Sequence, residues 1–206
     1  MVTVNYQPGA ASLAGQLCGR PITDEELANA VGALDGATLH VRAKQLTELL
    51  VEVEHPWIES HEVGLRRALN GERYVWLYHL DKRYDAPSGV GLQVIVTMVK
   101  GARHLGFQGI ELFALGNAKD KRYSGYLVWA LYGFDAVLFT EERRLLWLLS
   151  HFRGVRTVNE LLARGGRDWW QRNGDERKMI FELSPKSSMI QTLNNYLASK
   201  GFAERI

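Results

Sequence analysis

A single cysteine, Cys18, stands in a chain of 206 residues, so no disulfide can form within the chain and a zinc cluster built on several thiolates is excluded. Apolar runs reaching the ~20 residues of a membrane helix are missing. The N-terminus, Met1-Val2-Thr3-Val4-Asn5, has no basic segment followed by an apolar one. No signal peptide and no membrane partner are therefore expected, and the expected location is the cytoplasm. Net charge is scarce too. A formal +2 is too mild to argue for nucleic acid, although it suits an anionic ligand. Six histidines (His40, His55, His61, His79, His104 and His151) include no pair at the i, i+4 spacing of a helical zinc site, so no metal is expected. The acids and histidines between Glu52 and Glu62 read as a solvated strand edge or the rim of a site. Internal repeats and low-complexity segments are absent.

What is present suits a globular domain with an appendage: 46% hydrophobic and 23% charged residues. Thr23-Asp24-Glu25-Glu26 is a capping box that opens a helix ending near Leu34, before Gly36. Thr38–Ala43 and Leu49–Glu54 read as strands. Asn70-Gly71, between alternating runs at 62–69 and 74–80, predicts a hairpin with a two-residue type I′ turn. The run from Gly91 to Leu105 is β-branched, which favours a strand. Its apolar positions Leu92, Ile95, Val99 and Ala102 are spaced as on a helix, however. Basic residues gather at its end and Gly106 follows as a cap, so the reading is helix. Gly109–Ala114 is then a strand, and Ser124 caps a helix ending at Gly133. Downstream, Thr140 caps a helix to Phe152 and Thr157 caps Val158–Arg164. Met179–Leu183 is a strand, and Ser188-Met189-Ile190-Gln191 opens the last helix.

The centre of interest is the turn Asp85-Ala86-Pro87-Ser88-Gly89-Val90-Gly91 between the strand Tyr74–Leu80 and that helix. Glycines at a helix N-terminus leave free backbone N–H groups within reach of a phosphate. Ser88, Gly89, Val90, Gly91 and Leu92 supply such a set.

With the aromatic-rich strand before it, the helix ending His104-Leu105-Gly106-Phe107, the strand Gln108–Leu112 and the helix closing on Gly133-Phe134, this turn resembles the core of the GNAT acetyltransferase superfamily. The resemblance covers about 65 residues well. It implies an α/β fold with a mixed, mostly antiparallel central sheet flanked by helices. That domain would span residues 1–139, with a C-terminal, mainly helical extension at 140–206 packed on it. It also implies acetyl-CoA as co-substrate and an amine as acceptor, with the diphosphate on Ser88–Leu92 and nearby charge from Arg83 and Lys82. The thioester carbonyl would meet a backbone N–H near Leu80 and Asp81. Glu111, flanked by Ile110 and Leu112 and expected among apolar neighbours, is the candidate base, with His79 and Asp81 behind it. The family's turn carries Arg or Gln where this chain has Ala86, and its leaving-group tyrosine position is Trp129. Tyr126 or Tyr132 would then be the acid that protonates the thiolate.

Two other readings are open. Ala86 and Trp129 suit a module that kept the fold, lost the chemistry and binds CoA, a ligand or a partner. Arg164, Arg167, Arg172, Arg177 and Lys178 around Trp169-Trp170 have the composition of a single-strand nucleic-acid surface. Asp168, Asp175 and Glu176 offset that charge, which favours a packed tryptophan pair with a solvated rim.

Overall fold

The computed structural model describes residues 1–120, 123–203 and 205–206. Its first half runs β1 (Thr3–Tyr6), α1 (Ala10–Cys18), α2 (Asp24–Ala30), β2 (Thr38–Gln45), β3 (Glu48–Glu54), β4 (Ile58–Arg67), β5 (Arg73–Lys82), α3 (Val90–His104) and β6 (Gly109–Ala114). Then follow α4 (Gly125–Leu131), α5 (Thr140–Trp147), a 3₁₀ turn (Ser150–Phe152), α6 (Val158–Ala163), α7 (Arg167–Asn173), β7 (Arg177–Glu182) and α8 (Ser188–Ser199). The fold is mixed α/β. Its seven strands form one sheet in sequence order; β1 pairs parallel to β2, and the ladders from β2 to β5 are antiparallel. The chain divides inside β6. One compact unit holds residues 1–111, 182–185 and 206, and the other holds 112–181 and 186–205.

In the first unit the capping box forms as its spacing dictates. Glu26 N–H donates to Thr23 Oγ1 at 3.1 Å, and Thr23 N–H donates to Glu26 Oε2 at 2.9 Å. The helix it opens stops at Ala30, short of Leu34. Gly32 follows with φ 72° against the Val94 carbonyl, which a Cβ would meet at 2.6 Å. Farther along α3, a Cβ on Gly101 would strike the backbone of Asn29 and Ala30. These two glycines let α2 and α3 approach backbone to backbone. Spacing rather than β propensity decides α3, because burial of Ile95, Met98, Val99 and Ala102 on its inner side outweighs the small helix penalty of branched side chains. Its end is a Schellman cap: Phe107 N–H donates to the Ala102 carbonyl at 2.9 Å, with Gly106 at φ 74°.

The Asn70-Gly71 turn is not type I′. Arg67 pairs with Arg73, so residues 68–72 form the loop, and among the described residues only glycines have positive φ, so Asn70 does not. Gly71 N–H donates to the Ala68 carbonyl at 2.9 Å, giving a type I turn closed by a left-handed glycine. Asn70 stays at negative φ because its amide is engaged with Glu72, accepting from the backbone at 3.1 Å and donating to the carboxylate at 2.7 Å. The longer loop shifts the pairing. Val63 and Leu65 share the fully buried face with Val75 and Leu77, and the aromatic row Tyr74, Trp76 and Tyr78 turns to the other, half-buried face.

In the second unit, Thr157 caps α6 as expected, its hydroxyl accepting from Glu160 N–H at 3.2 Å. The other three caps differ. Ser124 makes no side-chain cap bond. Phe139 rather than Thr140 precedes α5, where the Glu142 carboxylate accepts from its N–H at 2.7 Å. Ser187 rather than Ser188 caps α8, accepting from Met189 N–H at 3.2 Å. Only the last is a slip to a neighbour with an equal claim on the same free N–H groups; Phe139 has no side-chain acceptor, and there the Glu142 carboxylate does the capping. The helix from Thr140 also stops at Trp147 and resumes only as the short 3₁₀ turn.

Candidate functional site

The turn after β5 is built as a helix entry. Arg83 N–H donates to the Trp57 carbonyl and Ala86 N–H to the Arg83 carbonyl, at 3.0 and 3.2 Å. Ser88 is exposed, and Gly89 sits at φ 90°, a conformation that L side chains avoid. Val90 and Leu92 bury their side chains, so only their backbone can be presented outward. Gly91 is different. Its φ is not positive, and a Cβ there would meet nothing within 4 Å. Neither backbone conformation nor internal packing requires glycine at this second position of the helix, in contrast to Gly32 and Gly101. An approaching ligand would, because free N–H groups and the positive end of the α3 dipole face outward there. Arg83, expected to add charge, is partly neutralised by Asp85 at 3.4 Å in an exposed pair.

Leu80 and Asp81 lie near the end of β5, opposite His61 and Ser60 of β4. The β4–β5 ladder slips twice here. Glu59 is an extra residue at the Asp81–Lys82 step, and Tyr78 is an extra residue at the Glu62–Val63 step. Bulges of this kind re-aim backbone groups out of the ladder.

Glu111 is buried, but not among apolar neighbours alone: Arg66 donates to its carboxylate. The Arg66 guanidinium also lies over Trp76, 4.3 Å from the ring centroid, and Tyr74 stands opposite Arg66 in the ladder. Trp76 is four residues short of Leu80, ~13 Å along a strand. Glu111 and the Leu80–Asp81 backbone are therefore not neighbours, whereas His79 and Asp81, both exposed, are. Beside Trp76 the same sheet face carries a second polar group that the sequence did not announce. Lys44 Nζ donates to Tyr78 Oη at 2.7 Å, and Tyr78 in turn donates to Glu48. Gly64 makes room for this, since a Cβ would meet Glu48 Oε1 at 2.8 Å. Burial and the Glu48 carboxylate push the Tyr78 phenol up, and the bond to Tyr78 pushes the Lys44 ammonium up. A lone glycine flanked by Val63 and Leu65 was the only signal in the sequence.

The two candidate acids lie in the second unit. Tyr126 is buried and its hydroxyl donates to the Gln171 carbonyl at 2.9 Å, while burial raises its pKa. Tyr132 is half-buried against Tyr196 and Trp129, ring centroids 5.2 and 5.9 Å apart, and burial with Tyr196 nearby pushes its pKa up to about 12. Trp170 is fully buried and donates its indole N–H to the Tyr126 carbonyl at 3.0 Å, while Trp169 is half-exposed. Arg177 is not a surface cation. It is buried in a two-pronged bond with Glu142 at 3.0 and 2.5 Å, between Phe139 and Trp170. Among the described residues no group of three or more His, Cys, Asp or Glu is placed to hold a metal, and no helix is long and apolar enough to cross a membrane.

No protein-family model matches the chain, and no curated protein matches it. Among solved structures, the chain is similar to a protein of Desulfovibrio desulfuricans assigned to the GNAT family of acetyltransferases. The identity is 15%, over 67% of this chain and 70% of that one, with a TM-score of 0.33. At that depth the likeness assigns no residue a role.

Proposed function

We propose that this chain is an acetyl-CoA-dependent N-acyltransferase that moves an acetyl group to an amine. The observation that carries the reading is Gly91, a glycine that the protein's own packing does not need, at the outward N–H groups of α3. Ser88, Gly89, Gly91 and Leu92 hold the diphosphate through backbone donors and the Ser88 hydroxyl, with Arg83 adding charge; the Val90 N–H is already donated to the Pro87 carbonyl at 3.4 Å, and Val90 serves by anchoring the turn. A backbone N–H at the slipped end of β5, at Leu80 or Asp81, polarises the thioester carbonyl. Glu111 takes the ammonium proton through a chain of several waters, because the ~13 Å along β5 between it and that carbonyl is more than one water can bridge. The acid for the leaving thiolate is Tyr132 rather than Tyr126, whose hydroxyl is already committed to Gln171.

Gly91→Glu tests the reading. The open space at Gly91 accommodates the side chain, so the variant folds with a melting temperature at or above the wild-type value, while the added carboxylate repels the diphosphate. Calorimetry with CoA should show binding by the wild type and none by the variant; equal affinity in a folded variant removes the assignment. Ala86, Trp129 and the committed Tyr126 hydroxyl favour a second reading, a module that binds CoA or a partner without turnover. Free-thiol detection with acetyl-CoA and a panel of primary amines separates the two, because only the enzyme releases CoA.

A further inference from the structure

The second unit carries an exposed apolar patch on α5 and the turn after it. Leu148 is 77% exposed, Trp147 60% and Leu145 52%, with Leu149 beside them. These four large apolar side chains are exposed together at the end of α5 and in the turn after it. The inner side of α5 is fixed meanwhile. Leu146 is buried, and Glu142 is locked to Arg177. The helix that carries the patch is therefore anchored on its inner side.

Its surroundings are basic. Arg143, Arg144, Arg153 and Arg156 are all exposed, and among the described residues none of them forms an ion pair. Arg153 Nε donates to the Trp147 carbonyl at 3.3 Å, and its guanidinium lies 5.8 Å from the Trp147 ring centroid. Glu141 is the acid on the outer side of α5. An exposed tryptophan and leucines ringed by arginines have the chemistry of a membrane interface. The apolar patch enters the headgroup boundary, and the cations meet lipid phosphates. The four exposed arginines beside this apolar patch complement the negative surface of an anionic bilayer, which favours lipid.

We propose that residues 143–156 form a peripheral docking surface for anionic lipid bilayers, independent of the acyltransferase reading. The test is cosedimentation of the full chain with phosphatidylcholine vesicles, with and without about 30 mol % phosphatidylserine, at low and high salt. The expected result is binding to the anionic vesicles that salt weakens, with little binding to the neutral ones. Trp147→Ser with Leu148→Ser should lower partitioning ~10-fold or more through lost apolar insertion. Arg143→Glu with Arg144→Glu should abolish the preference for anionic lipid. Both side-chain pairs are exposed, so melting temperatures should stay at the wild-type value. Absence of binding to anionic vesicles overturns the proposal, as does equal binding by both double variants. Self-association of the wild type that the Trp147/Leu148 variant abolishes, without vesicle binding, overturns it in favour of a second copy of the chain.

Discussion

Two arginine–glutamate pairs are handled in opposite ways. In the second unit, Arg177 and Glu142 are 3% and 9% exposed and joined by two parallel bonds. Two further donors of Arg177 reach the Val137 and Asp175 carbonyls, and its faces are covered by Phe139 and Trp170. In the first unit, Arg66 and Glu111 are 32% and 11% exposed, joined through one guanidinium nitrogen, with Trp76 on one side. The first pair is closed to any ligand and fixes α5 to β7. The second leaves Arg66 about a third exposed on a sheet face, so solvent or a ligand can reach its charge. The first unit also leaves His61 in its core with Nε2 unpartnered. Unpartnered atoms do not separate the units, since Asn159 Oδ1 in the second is also without a partner; the exposure of the arginine does.

Breaking the closed pair should have the largest effect. Glu142→Leu leaves Arg177 charged in an apolar sandwich, and denaturant unfolding should show a loss of about 3–5 kcal/mol. A loss below about 1 kcal/mol would mean that water reaches Arg177 and the contrast is false.

His61 sharpens the comparison through pH. Burial lowers its pKa from 6.5 to about 4, against a weaker opposing bond to the Val31 backbone. The unfolded chain therefore binds this proton more tightly than the folded one. The contribution is fully present above pH 6.5 and is lost as pH falls towards 4, a change of roughly 3 kcal/mol. Melting followed between these limits should show that acid limb in the wild type. His61→Leu, which keeps an apolar volume in place, should flatten it; an unchanged limb assigns the titration elsewhere.

Glu111→Gln should cost little stability, within about 1 kcal/mol, because Arg66 can turn to solvent. If Glu111 is the base, the same change lowers amine-dependent CoA release by ~10²–10⁴-fold. A stability loss matching that of Glu142→Leu, with turnover intact, would make the pair structural and move the base to His79 or Asp81.

The smallest effect is the most discriminating for the turn. Gly91→Ala has no clash to create and restricts the unfolded chain, so the protein without ligand should gain about 0.4–1 kcal/mol. The methyl group nonetheless intrudes on an approaching diphosphate and should weaken CoA binding. A destabilised Gly91→Ala would show that packing, rather than a ligand, holds the glycine.

Local signals were legible wherever a short stretch contains its own partner. The Thr23–Glu26 box, the Thr157 cap and the helix over 90–104 close within a few residues, and the alternation across β4 and β5 shows both strands. The two-residue turn was misread because Glu72 takes the Asn70 amide, and a side-chain contact of that kind overrides a turn preference. β1 and α1 were not anticipated, since Ala10–Cys18 is small-residue chain whose helix is stabilised by packing over β2, β3 and β4. In the candidate site, Gly89 and Gly91 were visible as residues, but the reason for Gly91 was not. That reason is the empty space around it, which belongs to the fold.

The sequence by itself determined the class of this protein: strands and helices in an α/β order, a glycine entry to α3, and no means of making a disulfide. These follow from periodicity, capping chemistry and composition, which act over a few residues. Only the tertiary structure decided that Arg66 meets Glu111 across 45 positions, that the Tyr126 hydroxyl donates to the Gln171 carbonyl, and that Arg177 lies inside rather than on a basic surface. Each depends on a side chain meeting a group brought near it by burial. Contacts between residues far apart in sequence are set by how the elements pack, and no local pattern records them.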